Sequence, residues 1–370
     1  MTSENIIADA RGPDMIEVRT DNLDRPKTCP TPMPEQKVAN LALQGGGTHG
    51  AFTWGVLQRL LEEARFEIDG VSATSAGAMN AVILAHGLTL GGRDGAMAAL
   101  ASFWQRVASL AKRSFLQPSW YDRISGNEGL EHSPSYVFFD MLSRVFSPYQ
   151  LNPFNYDPLR SLLEELVDFE RLRRECAVKL FLCATNVRTG KVRVFTNEEI
   201  SVTHVLASAC LPHLAQAVEI DGEHFWDGGY TGNPALFPLI YDCQSRDIVV
   251  VHVNPTERPE IPRTAPEIIN RVNEISFNSS LFREMRAIAF VTRLIDEGKI
   301  NDGSLRRMLI HAIDADDVMQ KLGATSKLNA ELDFLLRLHD VGRSRADQWL
   351  RSHLEMIGVK STIDVRTKYL

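Results

Sequence analysis

Apolar positions in the first third of the chain alternate between short continuous runs and stretches with helical spacing. The run VANLAL at 38–43 predicts a buried strand, and the segment after it carries apolar residues every three to four positions, as a helix does. The same order returns in a strand predicted at 69–73 and a helix predicted at 75–86. Two successive strand-to-helix units favour a layered α/β fold with a central, mostly parallel sheet.

Later apolar runs extend this predicted sheet and are followed by helices. Thr264, Pro266 and Glu267 predict a helix start, because Thr caps free N–H groups, Pro tolerates the first turn and Glu completes a capping box. This helix should run towards Arg293, and helical spacing returns over 316–358. The further predicted strands lie at 178–186, 192–195, 218–220, 248–253 and 306–312.

Three regions are predicted along the chain. Residues 1–36 hold five of the 17 prolines and little apolar periodicity, which predicts a flexible tail. Residues 37–312 are predicted to form one α/β domain, and 313–370 a helical extension packed on it. The domain contains a loop-rich insertion at about 112–158, with ten of the 29 aromatic residues of the chain. These rings either pack the insertion against the sheet, or line an acyl-binding cleft or touch lipid.

The composition and charge of the chain indicate which binding partners and which cellular compartment to expect. The 40 Lys and Arg against 47 Asp and Glu give a net charge of −7, which argues against a nucleic-acid partner. No run approaches the roughly 18 apolar residues of a membrane span, and the first residues lack the basic and apolar parts of an export signal. A cytoplasmic protein is therefore expected. The five widely spaced cysteines favour neither a disulfide framework nor a zinc site: Cys29, Cys176, Cys183, Cys210 and Cys243.

The sequence ATSAG at 73–77 lies between a predicted strand and a predicted helix. A serine on such a sharp turn projects its hydroxyl from the backbone, at a helix amino end that favours developing negative charge. Ser75 is therefore a candidate nucleophile. The usual pattern is Gly-x-Ser-x-Gly, and Ala73 here replaces the first glycine. The alternative is that Ser75 only caps the helix.

The glycine run QGGGTHG at 44–50 ends the first predicted strand and opens a helix, so its N–H groups are free to converge on an anion. A nucleotide phosphate is one candidate, although the run lacks the Gly-Lys-Ser/Thr of a P-loop. The other candidate is an oxyanion, which suits a serine elbow 30 residues later. Each oxyanion donor typically contributes roughly 3 to 4 kcal/mol.

A third motif, FWDGG at 225–229, follows a predicted hairpin with Asp221-Gly222 at its turn. Asp227 is the candidate base for the nucleophile, provided that burial raises its pKa from near 3.9. The alternatives are an ordinary Asp-Gly turn and a Ser-His-Asp triad. The candidate histidines for such a triad are His204, His213, His224 and His252, of which His213 follows a Leu-Pro pair near the third motif.

Taken together, the motifs resemble the patatin-like phospholipase family. The resemblance covers Val38 to about Val253 and includes GGGTHG, ATSAGAMNA, ASACLPHLAQAVEIDG and WDGG in the family's order. It implies a three-layer α/β/α fold and a catalytic dyad of Ser75 and Asp227. The implied oxyanion hole comprises the amides of Gly45, Gly46, Gly47 and Ala76. The implied supports of the elbow and of the aspartate loop are Ala73, Gly77, Gly228 and Gly229.

This interpretation predicts a lipid acyl hydrolase or carboxylesterase that needs no metal or cofactor and forms an acyl-enzyme on Ser75. The expected partner is a lipid or another ester, with peripheral contact to a membrane. His49 stands where many relatives carry Arg or Lys, which removes a fixed positive charge beside the hole. The alternative hypothesis is a catalytically weak lipid-binding or regulatory protein that retains the fold, with Ala73 and His49 as signs of decay.

Overall fold

The computed structural model describes residues 35–112, 114, 119, 128–130, 132–300, 303, 305–323 and 325–370. Residues Gln36–Leu370 form one compact unit by their contacts. The predicted tail at 1–36 lies almost wholly outside the described residues, as does much of 113–127 in the predicted insertion.

A single sheet organises this unit. Its strands in the described part of the chain are β1 (Lys37–Leu43), β2 (Phe66–Ala73), β3 (Lys179–Asn186), β4 (Val192–Thr196), β5 (Val218–Ile220), β6 (Glu223–Asp227), β7 (Asp247–Val251) and β8 (Leu309–Ile313). They pair along the path β5-β6-β3-β2-β1-β7-β8, and β4 also pairs with β3. The pairs from β3 through β2, β1 and β7 to β8 are parallel, whereas β4, β5 and β6 are antiparallel to their neighbours. The mostly parallel sheet predicted from the sequence is confirmed.

Helices cover both faces of the sheet. The α-helices of the described residues are α1 (Gly50–Glu62), α2 (Ala76–Ala111), α3 (Pro134–Ser143), α4 (Pro148–Leu151), α5 (Pro158–Leu166), α6 (Phe169–Glu175), α7 (Val202–Ser208), α8 (Phe237–Asp242), α9 (Ala265–Asp296), α10 (Asp316–Met319), α11 (Leu332–His353) and α12 (Val365–Tyr369). Within the described residues, no helix combines the length and apolar character that crossing a membrane requires.

The two faces of the sheet build two separate hydrophobic clusters, as period-two alternation requires. In β7, Val249 and Val251 join the cluster under α1, α2 and α11, whereas Ile248 and Val250 join the cluster under α8 and α9. This arrangement is a three-layer α/β/α fold, as the sequence predicted.

Several local predictions hold at the level of single residues. The N-cap of α9 is Thr264, and the Thr264–Glu267 capping box is formed. Asp221 and Gly222 both have positive φ and form the turn between β5 and β6. The helix predicted at 75–86 is only the first part of α2, which continues to Ala111 after a break at Gly91 and Gly92.

Helix α11, in the C-terminal part of the chain, packs along α1 and completes one helical layer. Phe334, Leu335 and Trp349 enter the same hydrophobic cluster as the residues of α1. An ion pair joins the two helices, with 2.9 Å between Arg59 Nε and Asp347 Oδ1. We propose that residues 313–370 form a helical extension of the α/β domain, anchored by this contact.

Candidate active site

Ser75 occupies a strained turn between β2 and α2. Its φ of 56° and ψ of −124° lie in a region that residues with a Cβ seldom adopt, at a cost of about 1–3 kcal/mol. The Ser75 N–H donates to Ser208 Oγ at 3.0 Å, and the Ser208 hydroxyl donates to the Cys183 carbonyl at 2.7 Å. The surrounding structure therefore holds this turn, and the side chain of Ser75 stands at the amino end of α2.

The register of the sheet brings Asp227 to the same place. β4 pairs with one edge of β3. Some of the β3 residues that pair with β2, and some of those that pair with β6, also pair with β4. β2 and β6 must therefore lie one after the other along the opposite edge of β3. Ala73 lies opposite Leu182, and Asp227 lies opposite Ala184, two residues further on. Ser75, two residues after Ala73, therefore reaches the level of Asp227.

The Asp227 carboxyl is completely buried. Burial raises its pKa to about 7, while hydrogen bonding from the Gly229 N–H and the proximity of the Ser75 hydroxyl lower it. The Gly229 N–H donates to Oδ1 at 2.7 Å. Oδ2 is buried and accepts no direct hydrogen bond from the described residues, so the Ser75 hydroxyl influences it as a neighbour and not as a bonded donor.

The glycine loop after β1 lies directly against Ser75. A Cβ placed on Gly45 would come within 2.6 Å of Ser75 Cβ, so only glycine permits this approach. Two asparagines anchor the same residue. The Gly45 N–H donates to Asn233 Oδ1 at 2.7 Å, and Asn254 Nδ2 donates to the Gly45 carbonyl at 2.7 Å.

This anchoring changes the list of available amides. The Gly45 N–H is already engaged, so Gly45 serves as the anchor of the loop rather than as a donor to an oxyanion. The amides of Gly46, Gly47 and Ala76 have no recorded acceptor among the described residues. Three N–H groups near Ser75 are therefore available to an anion.

The predicted support residues lie where close packing requires small side chains. A Cβ on Gly77 would collide with the Leu43 carbonyl and lie 2.8 Å from Gln44 O. Because glycine has no Cβ, α2 can lie directly against the end of β1. Ala73 is fully buried. A Cβ on Gly228 would collide with the Cys183 carbonyl, and a Cβ on Gly229 would lie 2.7 Å from the Phe277 ring.

Comparison with known proteins addresses the family of the chain. The family model for patatin-like phospholipases matches residues 41–240, which contain the glycine loop, the serine turn and the aspartate loop. The chain belongs to the patatin-like phospholipase family. The crystal structure of VipD from Legionella pneumophila is 16% identical over 86% of this chain and 67% of that chain, with a TM-score of 0.36. A comparison with curated proteins finds no match.

The histidines considered as alternative bases have other positions and partners. His204 caps α7 through Ser201, with 2.8 Å between Nδ1 and Ser201 Oγ. His252 is buried, and its Nε2 lies 2.6 Å from the Tyr369 hydroxyl. His213 and His224 lie on a loop and on β6. None of the four hydrogen-bonds to Ser75 or Asp227 within the described residues.

His49 in the glycine loop is buried and carries no fixed charge. Burial holds its pKa well below the usual value, and the charges of Lys327 and Arg258 lower it further. Its Nε2 lies 2.8 Å from Ser326 Oγ. The positive charges around this loop therefore come from Lys327 and Arg258, which lie far away in sequence.

Sequence reasoning missed four polar residues that support the site: Asn233, Asn254, Ser208 and Lys327. One of them had a usable indication. Asn254 follows the buried strand β7 at the carboxyl edge of the parallel sheet, where ligands usually bind. Ser208 and Lys327 come from helical segments without any motif, and only the folded structure brings them to the turn and the loop.

Proposed function

We propose that this chain is a lipid acyl hydrolase, a phospholipase A-like carboxylesterase with Ser75 as nucleophile and Asp227 as general base. The observation that supports the proposal is a serine on a strained turn that the strand register brings to the level of a buried carboxyl of raised pKa. Membership of the patatin-like phospholipase family supports it, because patatin-like lipases act on lipid substrates.

The proposed reaction proceeds in two halves. Ser75 Oγ attacks the ester carbonyl as its proton passes to Asp227, and the carbonyl oxygen becomes an oxyanion held by the free amides of Gly46, Gly47 and Ala76. The protonated Asp227 then gives this proton to the leaving alcohol, which leaves an acyl-Ser75 ester. Water attacks that ester with Asp227 again as base, which releases the fatty acid and restores the hydroxyl of Ser75.

A fluorophosphonate probe tests the nucleophile directly. We expect one adduct per chain, mapped to Ser75 by peptide mass spectrometry, because the phosphonyl oxygen mimics the oxyanion. Ser75→Ala should abolish labelling, whereas Ser352→Ala, an exposed serine at the end of α11, should leave it unchanged. An adduct on another residue, or none, would contradict the mechanism.

We also propose a cytoplasmic location. The described cysteines Cys176, Cys183, Cys210 and Cys243 are unpaired, which suits a reducing compartment.

Peripheral contact with a lipid surface belongs to the same proposal. The aromatic face, our name for a set of exposed side chains on α3, α4 and the adjoining turns, comprises Val137, Phe138, Met141, Val145, Phe146, Tyr149, Leu151, Phe154 and Tyr156. The charged side chains between 137 and 156 are Asp140 and Arg144, which pair with each other at 2.9 Å. The face is thus apolar, aromatic and without net charge, as contact with a neutral lipid surface requires.

The aromatic face is linked to the site through a short chain of contacts. The Ala217 N–H donates to the Tyr149 hydroxyl at 3.3 Å, and Gln216 Nε2 donates to the Asn152 carbonyl at 2.7 Å. Cys210 Sγ donates to the Gln216 carbonyl, and the Asp227 N–H donates to the Cys210 carbonyl. Lipid held on this face therefore lies beside the loop that leads to Asp227.

Vesicle binding tests this surface apart from catalysis. In a Ser75→Ala background, the double change Val145→Ser and Phe154→Ser should weaken sedimentation with phosphatidylcholine vesicles about tenfold or more, because Val145 is 73% and Phe154 92% exposed. With Ser75 present, the same change should leave turnover of a soluble short-chain ester unaltered. Tyr241→Ser, an exposed aromatic on α8 in the other helical layer, is the control. Unchanged vesicle binding of the double variant would refute the assignment.

A further inference from the structure

A C-terminal segment outside the family match encloses the glycine loop. The segment is a 3₁₀-helix at Thr325–Leu328, whereas the match ends at residue 240. Thr48 Oγ1 donates to the Ser326 carbonyl at 2.9 Å. A Cβ on Gly47, whose φ is +60°, would collide with the Lys327 carbonyl. The shape of the loop therefore depends on this distant segment.

Lys327 extends from this segment to the anchor of Gly45. Its Nζ donates to Asn254 Oδ1 at 2.9 Å, and Asn254 Nδ2 donates to the Gly45 carbonyl at 2.7 Å. Lysine has only donors, so it requires the oxygen of the Asn254 amide on its own side. The amide nitrogen of Asn254 must then face Gly45.

The orientation of Gly45 decides the direction of the next amide. The Gly45 carbonyl and the Gly46 N–H belong to one planar peptide and point in opposite directions. Fixing the carbonyl on Asn254 therefore fixes the Gly46 N–H on the opposite side. A rotated peptide would withdraw that N–H from the proposed oxyanion position.

The charges beneath the loop make Lys327 part of a cationic cluster. Arg258 and Arg271 both pair with the buried carboxylate of Glu274, at 2.6 Å and 3.3 Å. Burial lowers the pKa of Lys327, the charge of Glu274 raises it and that of Arg258 lowers it. Lys327 and the two arginines thus surround the single carboxylate of Glu274, which leaves a net positive charge. This charge lies below the glycine loop, in which His49 is uncharged.

We propose that Lys327 is a positioning residue that holds the Gly45–Gly46 peptide, through Asn254, with its N–H towards the oxyanion. The inference rests on the proposed acyl hydrolase function. The segment that carries Lys327 lies beyond the family match. In this proposal it orients the oxyanion hole and also supplies a positive charge that His49 does not provide.

Two substitutions separate positioning from folding. Lys327→Met keeps the length of the side chain and removes the charge and the donor. Asn254→Asp keeps a partner for Lys327 but places a carboxylate oxygen against the Gly45 carbonyl. Both should lower kcat for a soluble ester about 10- to 100-fold with KM unchanged within about twofold, and should slow fluorophosphonate labelling of Ser75 in parallel. Lys327→Arg should recover part of the loss, and Lys321→Met, an exposed lysine nearby, should behave as wild type.

The double variant and a structure complete the test. Since both residues act through one peptide, Lys327→Met with Asn254→Asp should lose little more than either single variant. A crystal structure of Lys327→Met should show the Gly45 carbonyl released from Asn254. Wild-type kcat in both variants, or an unmoved peptide in that structure, would overturn the inference, whatever happens at Ser75. Absence of turnover and labelling in the wild type would instead refute the proposed function.

Discussion

Ser75→Ala should lower ester turnover by at least about a thousandfold, close to the residual rate that the oxyanion hole and substrate binding give without a nucleophile. The nucleophile leads to the acyl-enzyme in the proposed route, and alanine has no oxygen to form it. Release of p-nitrophenol from short-chain and long-chain esters is the measurement. Retained turnover in Ser75→Ala would exclude the dyad, whereas efficient wild-type turnover that Ser75→Ala abolishes with both chain lengths would exclude the hypothesis of a catalytically weak lipid-binding protein.

Ser75→Gly is the matched companion, because it removes the same hydroxyl and also the Cβ. The positive φ of Ser75 is strained for alanine as for serine, but not for glycine. Both variants should therefore be inactive, and Ser75→Gly should unfold at a higher temperature than Ser75→Ala. An equal or lower melting temperature for Ser75→Gly would show that the turn stores no strain.

Local patterns in the sequence were sufficient to predict much of the fold. The serine turn, the Asp221-Gly222 hairpin and the Thr264 capping box depend on neighbouring residues, and each is found in the structure. The antiparallel placement of β4 and β6 on opposite edges of β3 depends on pairing between distant segments, which no local pattern encodes. That pairing is what brings position 227 to the level of position 75.

The candidate site divides in the same way. The three motifs identify the candidate nucleophile, the candidate base and the glycine loop, because each has a local backbone requirement. Asn233 and Asn254 contact Gly45 from 188 and 209 positions away. The sequence therefore predicts Gly45 as a donor, and only tertiary structure shows that its N–H is engaged.

Asp227→Asn should lower kcat about a thousandfold while raising the stability of the fold at neutral and alkaline pH. Asparagine fits the same volume and keeps an oxygen for the Gly229 N–H, but it accepts no proton from Ser75. In the wild type, turnover should rise with pH up to about 7 and level off above it, because the base must be deprotonated and its pKa is about 7. The pH profile of kcat/KM on a soluble ester is the measurement.

The stability change follows from the same pKa with a definite sign. Folding raises the pKa of Asp227 from 3.8 to about 7, so the fold favours the protonated form. The contribution of Asp227 to the free energy of unfolding should therefore fall as pH rises from about 4 to 7 and then stay level, by at most about 4 to 5 kcal/mol, since one pKa unit is about 1.4 kcal/mol. The asparagine of Asp227→Asn does not titrate in this range. The free energy of unfolding of this variant should therefore exceed that of the wild type most at pH 8 and least near pH 4. Asp221→Asn, at the exposed turn of the same hairpin, should show neither effect in thermal unfolding across this range. A stability difference between Asp227→Asn and the wild type that does not change between pH 4 and 8 would show that folding does not raise the pKa of Asp227.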